Sequence, residues 1–229
     1  MTQQHIHVIT VDGPSGSGKG TISQLLAKKF KWHFLDSGAL YRVLAYAVKQ
    51  KEIDINDESA LENIALGLSV SFKFSDDNCD SLVFLENNEI TREIRTEEIG
   101  MLASKISVHQ GVRTALLQWQ RNFQKAPGLI ADGRDMGTVV FPNADIKLFL
   151  SASLDERAHR RYQQLKNADV SIKIETVLDD LAERDVRDRE RRASPMRPAG
   201  DAIIIDTTGL NINDVFLKVL AQIENKIDL

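Results

Sequence analysis

Apolar residues run almost unbroken from Ile6 to Val11, the pattern of a parallel strand buried on both faces. A glycine-rich stretch follows. Then Ile22, Leu25, Leu26 and Phe30 recur at helical spacing. Residues 32–35 read as a short second strand. Leu40, Val43, Leu44 and Ala47 line one side of a helix over residues 38–49. Between residues 69 and 91 the period changes. Val70, Phe72 and Phe74 alternate with polar residues, residues 82–85 are apolar, and Asn87-Asn88 reads as a tight-turn pair before Ile90. This predicts a small antiparallel β insertion. Helices resume over 94–106 and 112–123, short strands fall at 129–131, 146–150 and 202–205, and a last helix spans 212–227. Strands alternating with helices predict an α/β fold with a central parallel sheet flanked by helices. Ligands in such sheets sit at the carboxyl ends of the strands, so the loops after Val11, Leu35, Ala131 and Leu150 matter most.

Composition narrows this picture only a little. The chain has 229 residues, 42% of them hydrophobic and 27% charged, enough for one large domain with a full core. A formal net charge of −4 speaks against a general nucleic-acid binder. The single cysteine, Cys79, rules out an internal disulfide and suits a reducing cytoplasm. No stretch has the roughly 18 consecutive apolar residues of a membrane helix, and the first residues lack a signal-peptide pattern, so a cytoplasmic protein is expected. His5 and His7 have no further ligand near them in sequence and read as surface positions at a strand start.

The strongest chemical signal is Gly13-Pro14-Ser15-Gly16-Ser17-Gly18-Lys19-Gly20-Thr21, placed between a strand and a helix. Glycines let successive backbone N–H groups converge on one anion. The helix N-terminus adds about half a positive charge. Lys19 can reach the β- and γ-phosphates of a nucleoside triphosphate such as ATP. Gly20, rather than Ser or Thr, follows the lysine, so the hydroxyl that helps hold Mg²⁺ falls to Thr21. Asp132, ending the strand Leu129-Ile130-Ala131, fits the metal-organising aspartate of such sites; a turn-capping role before Gly133 is the other reading.

Arginine distinguishes this chain from a nucleotide switch. Nine of its fifteen arginines lie between Arg157 and Arg197, with only two lysines among them, and arginine clamps phosphates well in sites that exclude water. On the helix over residues 173–192, Ile174, Val177, Leu178 and Leu181 form an apolar stripe that continues into Arg184, Asp185, Asp188 and Arg191. Either the helix end is solvated and laced with salt bridges, or it points those charges into a wet ligand cleft. Arg157, Arg160 and Arg161 follow the strand at 146–150, as in a mobile lid over residues 157–172 closing on a triphosphate.

Taken together, these stretches resemble the nucleoside monophosphate kinases, and closely the bacterial cytidylate (CMP) kinases. The motifs that carry the resemblance are residues 12–21, Leu35-Asp36-Ser37-Gly38-Ala39-Leu40-Tyr41-Arg42, Ala131-Asp132-Gly133-Arg134-Asp135-Met136-Gly137-Thr138-Val139-Val140-Phe141-Pro142, Glu156-Arg157-Ala158-His159-Arg160-Arg161 and the Arg184–Asp188–Arg191 helix. The resemblance implies one P-loop kinase domain, with residues 37–105 forming the monophosphate-binding region and the β insertion enlarging it. It implies ATP held by residues 13–21 and Arg157, with Mg²⁺ at Thr21 and Asp132. Arg42, Arg134 and Arg191 would hold the acceptor's phosphate, with Asp36, Ser37 and Tyr41 lining the same pocket. Arg184 and Asp188 would contact the pentose, and Ser104, Arg113 and Asp135 would read cytosine. Lys19, Asp132, Arg134, Arg184 and Arg191 are the residues expected to act on the transferred group. The expected substrates are ATP with CMP or dCMP, and a monomer is expected. The residues alone leave open another small-acceptor P-loop kinase, of uridylate or sugar/shikimate type, and a P-loop ATP-binding regulator.

Overall fold

The computed structural model describes residues 5–74, 81–167 and 170–226; Cys79, part of the expected β insertion and the end of the expected last helix lie outside them. In chain order the elements are β1 (His7–Asp12), α1 (Lys19–Phe30), β2 (His33–Asp36), α2 (Ser37–Gln50), α3 (Glu58–Leu66), β3 (Val70–Phe74), β4 (Ser81–Leu85) and β5 (Asn88–Glu89). A 3₁₀ turn (Glu93–Arg95) leads to α4 (Glu97–Ile106) and α5 (Gln110–Arg121). Then come β6 (Gly128–Gly133), a π-helical turn (Met136–Val140), β7 (Ile146–Ser151), α6 (Leu154–Asn167), α7 (Ile174–Glu190), β8 (Ile203–Asp206) and α8 (Ile212–Glu224). They pack as two compact units, Met1–Leu35 with Gln124–Leu229, and Asp36–Phe123.

The first unit carries a five-stranded sheet in the order β2-β6-β1-β7-β8. β1 pairs in parallel with β6 and with β7, and β7 pairs in parallel with β8, as the alternating pattern predicts. β1 is central, which is why its apolar run is unbroken: Ile9 and Val11 are shut off from solvent on both faces. Ile22 and Leu26 of α1 pack on one side of this core, with Ile130, Leu148, Leu150, Val219 and Ile223. Each such aliphatic side chain contributes about 1.5–3 kcal/mol by leaving water.

The second unit is built on α2, whose Leu40, Val43 and Leu44 are fully buried among Leu61, Ile94, Ile106 and Leu116. α3, which the sequence reading passed over, is capped by Asp57, whose Oδ1 accepts from Ala60 N–H at 3.0 Å. The expected β insertion is a three-stranded antiparallel sheet, β3-β4-β5. Its β4–β5 turn is Glu86-Asn87, one residue before the expected Asn87-Asn88. Leu85 pairs with Asn88, which makes Asn88 the first residue of the next strand, and both turn residues have φ > 0 (50° and 70°) as a type I′ hairpin requires. Among the described residues no helix is long and apolar enough to cross a membrane.

Candidate active site

The glycine-rich loop joins the carboxyl end of β1 directly to α1, which starts at Lys19. The first N–H groups of α1 therefore have no intrahelical partners and are available to an anion. Gly13 has φ 145°, and a Cβ there would lie 2.0 Å from the Leu150 carbonyl oxygen, so only glycine lets the loop approach β7 this closely. Lys19 is buried and its Nζ donates to Pro14 O at 3.2 Å, folding the ammonium back over the loop. A Cβ on Gly20 would sit 3.3 Å from Asp132 Oδ2. A side chain at position 20 would press on that carboxylate, and the hydroxyl is carried by the next residue, Thr21, exposed on the first turn of α1.

The loop is braced from behind by side chains of α6 and of the turn after β8. Arg157 is buried and donates to Ser15 O (3.2 Å) and Ala152 O (3.1 Å), and makes a two-pronged pair with Asp185 (3.1 and 2.6 Å). Thr207 Oγ1 lies 3.1 Å from Ser17 O and 3.0 Å from Ser151 O, while Arg160 donates to Thr207 Oγ1 and, at 2.6 Å, to Thr207 O. Arg157 and Arg160, expected in a lid, thus hold carbonyls around the phosphate loop. Arg161 donates to Gln164 on its own helix. Sequence reasoning missed Thr207 altogether, since nothing local to it signals a tie to residue 17.

The charged half of α7 is not a solvated end. Asp185, Asp188 and Arg191 are all buried. Arg134 donates from Nε to Asp188 Oδ2 at 2.9 Å, and Arg191 Nη2 lies 3.6 Å from Asp135 Oδ1. Burial alone would raise the Asp188 carboxyl, but Arg134, Arg184 and Arg191 outweigh it and hold the group below the ordinary carboxylate range. The structure so brings Arg134, Asp135, Arg184, Asp188 and Arg191 into one cluster from two distant stretches of sequence. Asp12 joins the carboxyl end of β1 to this region. Its two oxygens accept from Met136 and Gly137 N–H, both at 2.8 Å, at the start of the π-helical turn that follows Arg134 and Asp135. Burial pushes the Asp12 carboxyl up to about 7 despite those donors; Asp135 adds to the rise and Arg134 opposes it.

In the second unit, Asp36 caps α2, accepting from Ala39 N–H at 2.9 Å. The next residue, Ser37, donates to Gln120 Oε1 at 2.7 Å, a buried partner that the sequence reading did not single out. Arg42 donates from Nη1 to Ile94 O (2.7 Å) and Thr96 O (3.1 Å), and Gly100 leaves room for its guanidinium. Arg113 lies over the Tyr41 ring, 5.6 Å from its centroid, and donates to Ser107 O at 3.2 Å. The Ser107 hydroxyl in turn bonds Ser104 O at 2.9 Å. Ser37, Tyr41, Ser104 and Arg113 are all buried, and Arg42 is half-buried.

A phosphate loop backed by buried arginines is shared by many kinases, and comparison with known proteins decides among them. The family model for cytidylate kinase matches residues 9–225. The chain belongs to the cytidylate kinase family. A cytidylate kinase from Nitrosococcus oceani is 52% identical over 223 residues, covering 97% of this chain and 98% of that protein. One from Aeromonas hydrophila is 50% identical over 220 residues (96% and 95%), and one from Stutzerimonas stutzeri 48% over 221 residues (96% of each). The match spans both compact units of this cytidylate kinase family member, the phosphate loop and the arginine–carboxylate cluster.

Proposed function

We propose that this chain transfers the γ-phosphoryl group of ATP to CMP, and to dCMP, giving ADP and CDP or dCDP. The observation that carries the reading is membership of the cytidylate kinase family over nearly the whole chain, on a structure whose phosphate loop and arginine cluster suit phosphoryl transfer. ATP is held by the backbone of residues 13–21 and by Lys19. Arg157 serves it from behind, by fixing Ser15. A phosphate oxygen of CMP attacks the γ-phosphorus in line, the bond to the β–γ bridging oxygen breaks, and ADP leaves with that electron pair. Lys19, Arg134, Arg184 and Arg191 stabilise charge on the group in flight, and an already anionic nucleophile needs no general base. The Thr21 hydroxyl and the Asp132 carboxylate form an all-oxygen donor set suited to Mg²⁺, which would neutralise triphosphate charge when bound.

We assign the acceptor's phosphate to Arg42, Arg134 and Arg191, with roles for Asp36, Ser37 and Tyr41, and its pentose to Arg184 and Asp188. Ser104 and Asp135 accept from cytosine's exocyclic amino group, while Arg113 donates to its ring acceptors. Uracil would bring a carbonyl against the carboxylate and be rejected. Action in the cytoplasm as a monomer belongs to the same proposal. Coupled measurement of ADP release across CMP, dCMP, UMP, AMP and GMP tests the reading. Rapid turnover with CMP and dCMP alone is expected. Absence of turnover with both sinks it, and ADP release independent of any acceptor points to a regulator instead.

A further inference from the structure

At the opposite end of β1 from the phosphate loop, three metal-ligating side chains meet. His5 precedes β1, His7 begins it, and Asp145 precedes β7. The parallel pairing of β1 with β7 brings Asp145 to the histidines from far along the chain. Asp145 is fixed at both ends: its N–H donates to Val8 O at 3.0 Å, and its Oδ2 accepts from Val8 N–H at 2.8 Å. That leaves Oδ1 for the histidines, 2.6 Å from His5 Nε2 and 3.3 Å from His7 Nδ1. The His7 ring stacks on Trp32, 6.0 Å between centroids and 4° from parallel, which sets its direction. His7 Nδ1 is shielded from solvent and stands 3.3 Å from the Asp145 oxygen.

We propose that His5, His7 and Asp145 form a binding site for a divalent transition-metal ion of the Zn²⁺ class. One ligand atom from each lies within 4.8 Å of the others. Zn²⁺ with bonds of about 2.0–2.1 Å wants its ligand atoms about 3.3–3.4 Å apart, and His7 Nδ1 and Asp145 Oδ1 already stand at that spacing. His5 is exposed and can move the remaining distance at small cost. Two imidazoles and one carboxylate favour a borderline ion over Mg²⁺ or Ca²⁺, and water completes the fourth position. The hydrogen bond from Val8 to Asp145 is the kind of outer support that orients a metal-bound carboxylate. β1 is six residues long, so the site lies roughly 17 Å from the phosphate loop at about 3.3 Å per residue. An ion here ties the chain's start to the sheet and leaves phosphoryl transfer alone.

The test is Zn²⁺ titration, by calorimetry, of the untagged full chain after chelator treatment and without nucleotide. One ion per chain is expected, with a rise in Tm on binding and weakening in acid, because an imidazolium cannot ligate. His5→Ala and His7→Ala should each weaken binding at least about tenfold. Asp145→Asn keeps an acceptor for Val8 N–H and should weaken it similarly. ATP-dependent turnover of His5→Ala should match the parent. No saturable binding below about 1 mM, or one tight ion persisting in the His5→Ala/His7→Ala double variant, overturns the proposal.

Discussion

Arginines of both units bond backbone carbonyls, and those of the phosphate-loop unit also face carboxylates. In the phosphate-loop unit, Arg157 lies against Asp185, Arg134 against Asp188, and Arg191 near Asp135. In the unit 36–123, the hydrogen bonds of Arg42 run to the carbonyls of Ile94 and Thr96, and that of Arg113 to the carbonyl of Ser107. A carboxylate positions a guanidinium through charge, and the pair is costly to break once buried. A carbonyl positions it through backbone geometry. A carboxylate contact is therefore sensitive to loss of its partner, a carbonyl contact to small shifts of the chain.

The sharpest way to break the comparison is Asp185→Ala. It leaves the Arg157 guanidinium buried without its main partner and should cost about 3–5 kcal/mol of stability in urea unfolding. The Asp185→Ala/Arg157→Met double variant should lose less than the single one, and equal or greater loss would show that charge is not what holds this contact. A smaller effect is expected at Asp12, a buried carboxylate whose hydrogen bonds go to backbone N–H groups. In Asp12→Asn the amide can accept from only one of Met136 and Gly137, costing about 1–3 kcal/mol. The native carboxyl takes its proton near pH 7, whereas the ordinary value is 3.8, so below pH 7 the folded state binds more protons than the unfolded. Its contribution is full below about pH 4 and fades as pH rises to about 7. Urea unfolding across that window should show a falling stability that Asp12→Asn flattens; an unchanged slope would refute the shift. The smallest effect is expected for Gly100→Ala. Its Cβ would stand 2.6 Å from Arg42 Nη2, the far end of a flexible side chain, so the guanidinium moves and the fold stays. KM for the acceptor should rise about tenfold, about 1.4 kcal/mol, with Tm unchanged.

Much of the molecule was legible because its signals are local. The strand–loop–helix around Lys19 and the alternation of strands and helices each fit within a few residues. The stripe on α7 was legible only as a dilemma. Periodicity shows that Asp185 and Asp188 continue the apolar face, but not that Arg157 and Arg134 wait there to pair with them. Partners far apart in sequence account for the other gaps. Asp12 with residues 136 and 137, Thr207 with residue 17, and Asp145 with His5 and His7 all depend on strand register, which no single segment encodes. The π-helical turn Met136–Val140 escaped because its apolar run matches neither helical nor strand period.

The Thr207 hydroxyl has one proton and two oxygens in reach, Ser17 O and Ser151 O, at nearly equal distance. Ser151 O already receives the Thr207 N–H at 2.8 Å, so it stays satisfied when the hydroxyl turns to the loop. Turned the other way, the proton goes to Ser151 O, so neither orientation leaves the donor stranded. The grip on residue 17 thus resembles a clutch that a single bond rotation engages or releases, while the backbone bond from Thr207 to Ser151 stays made.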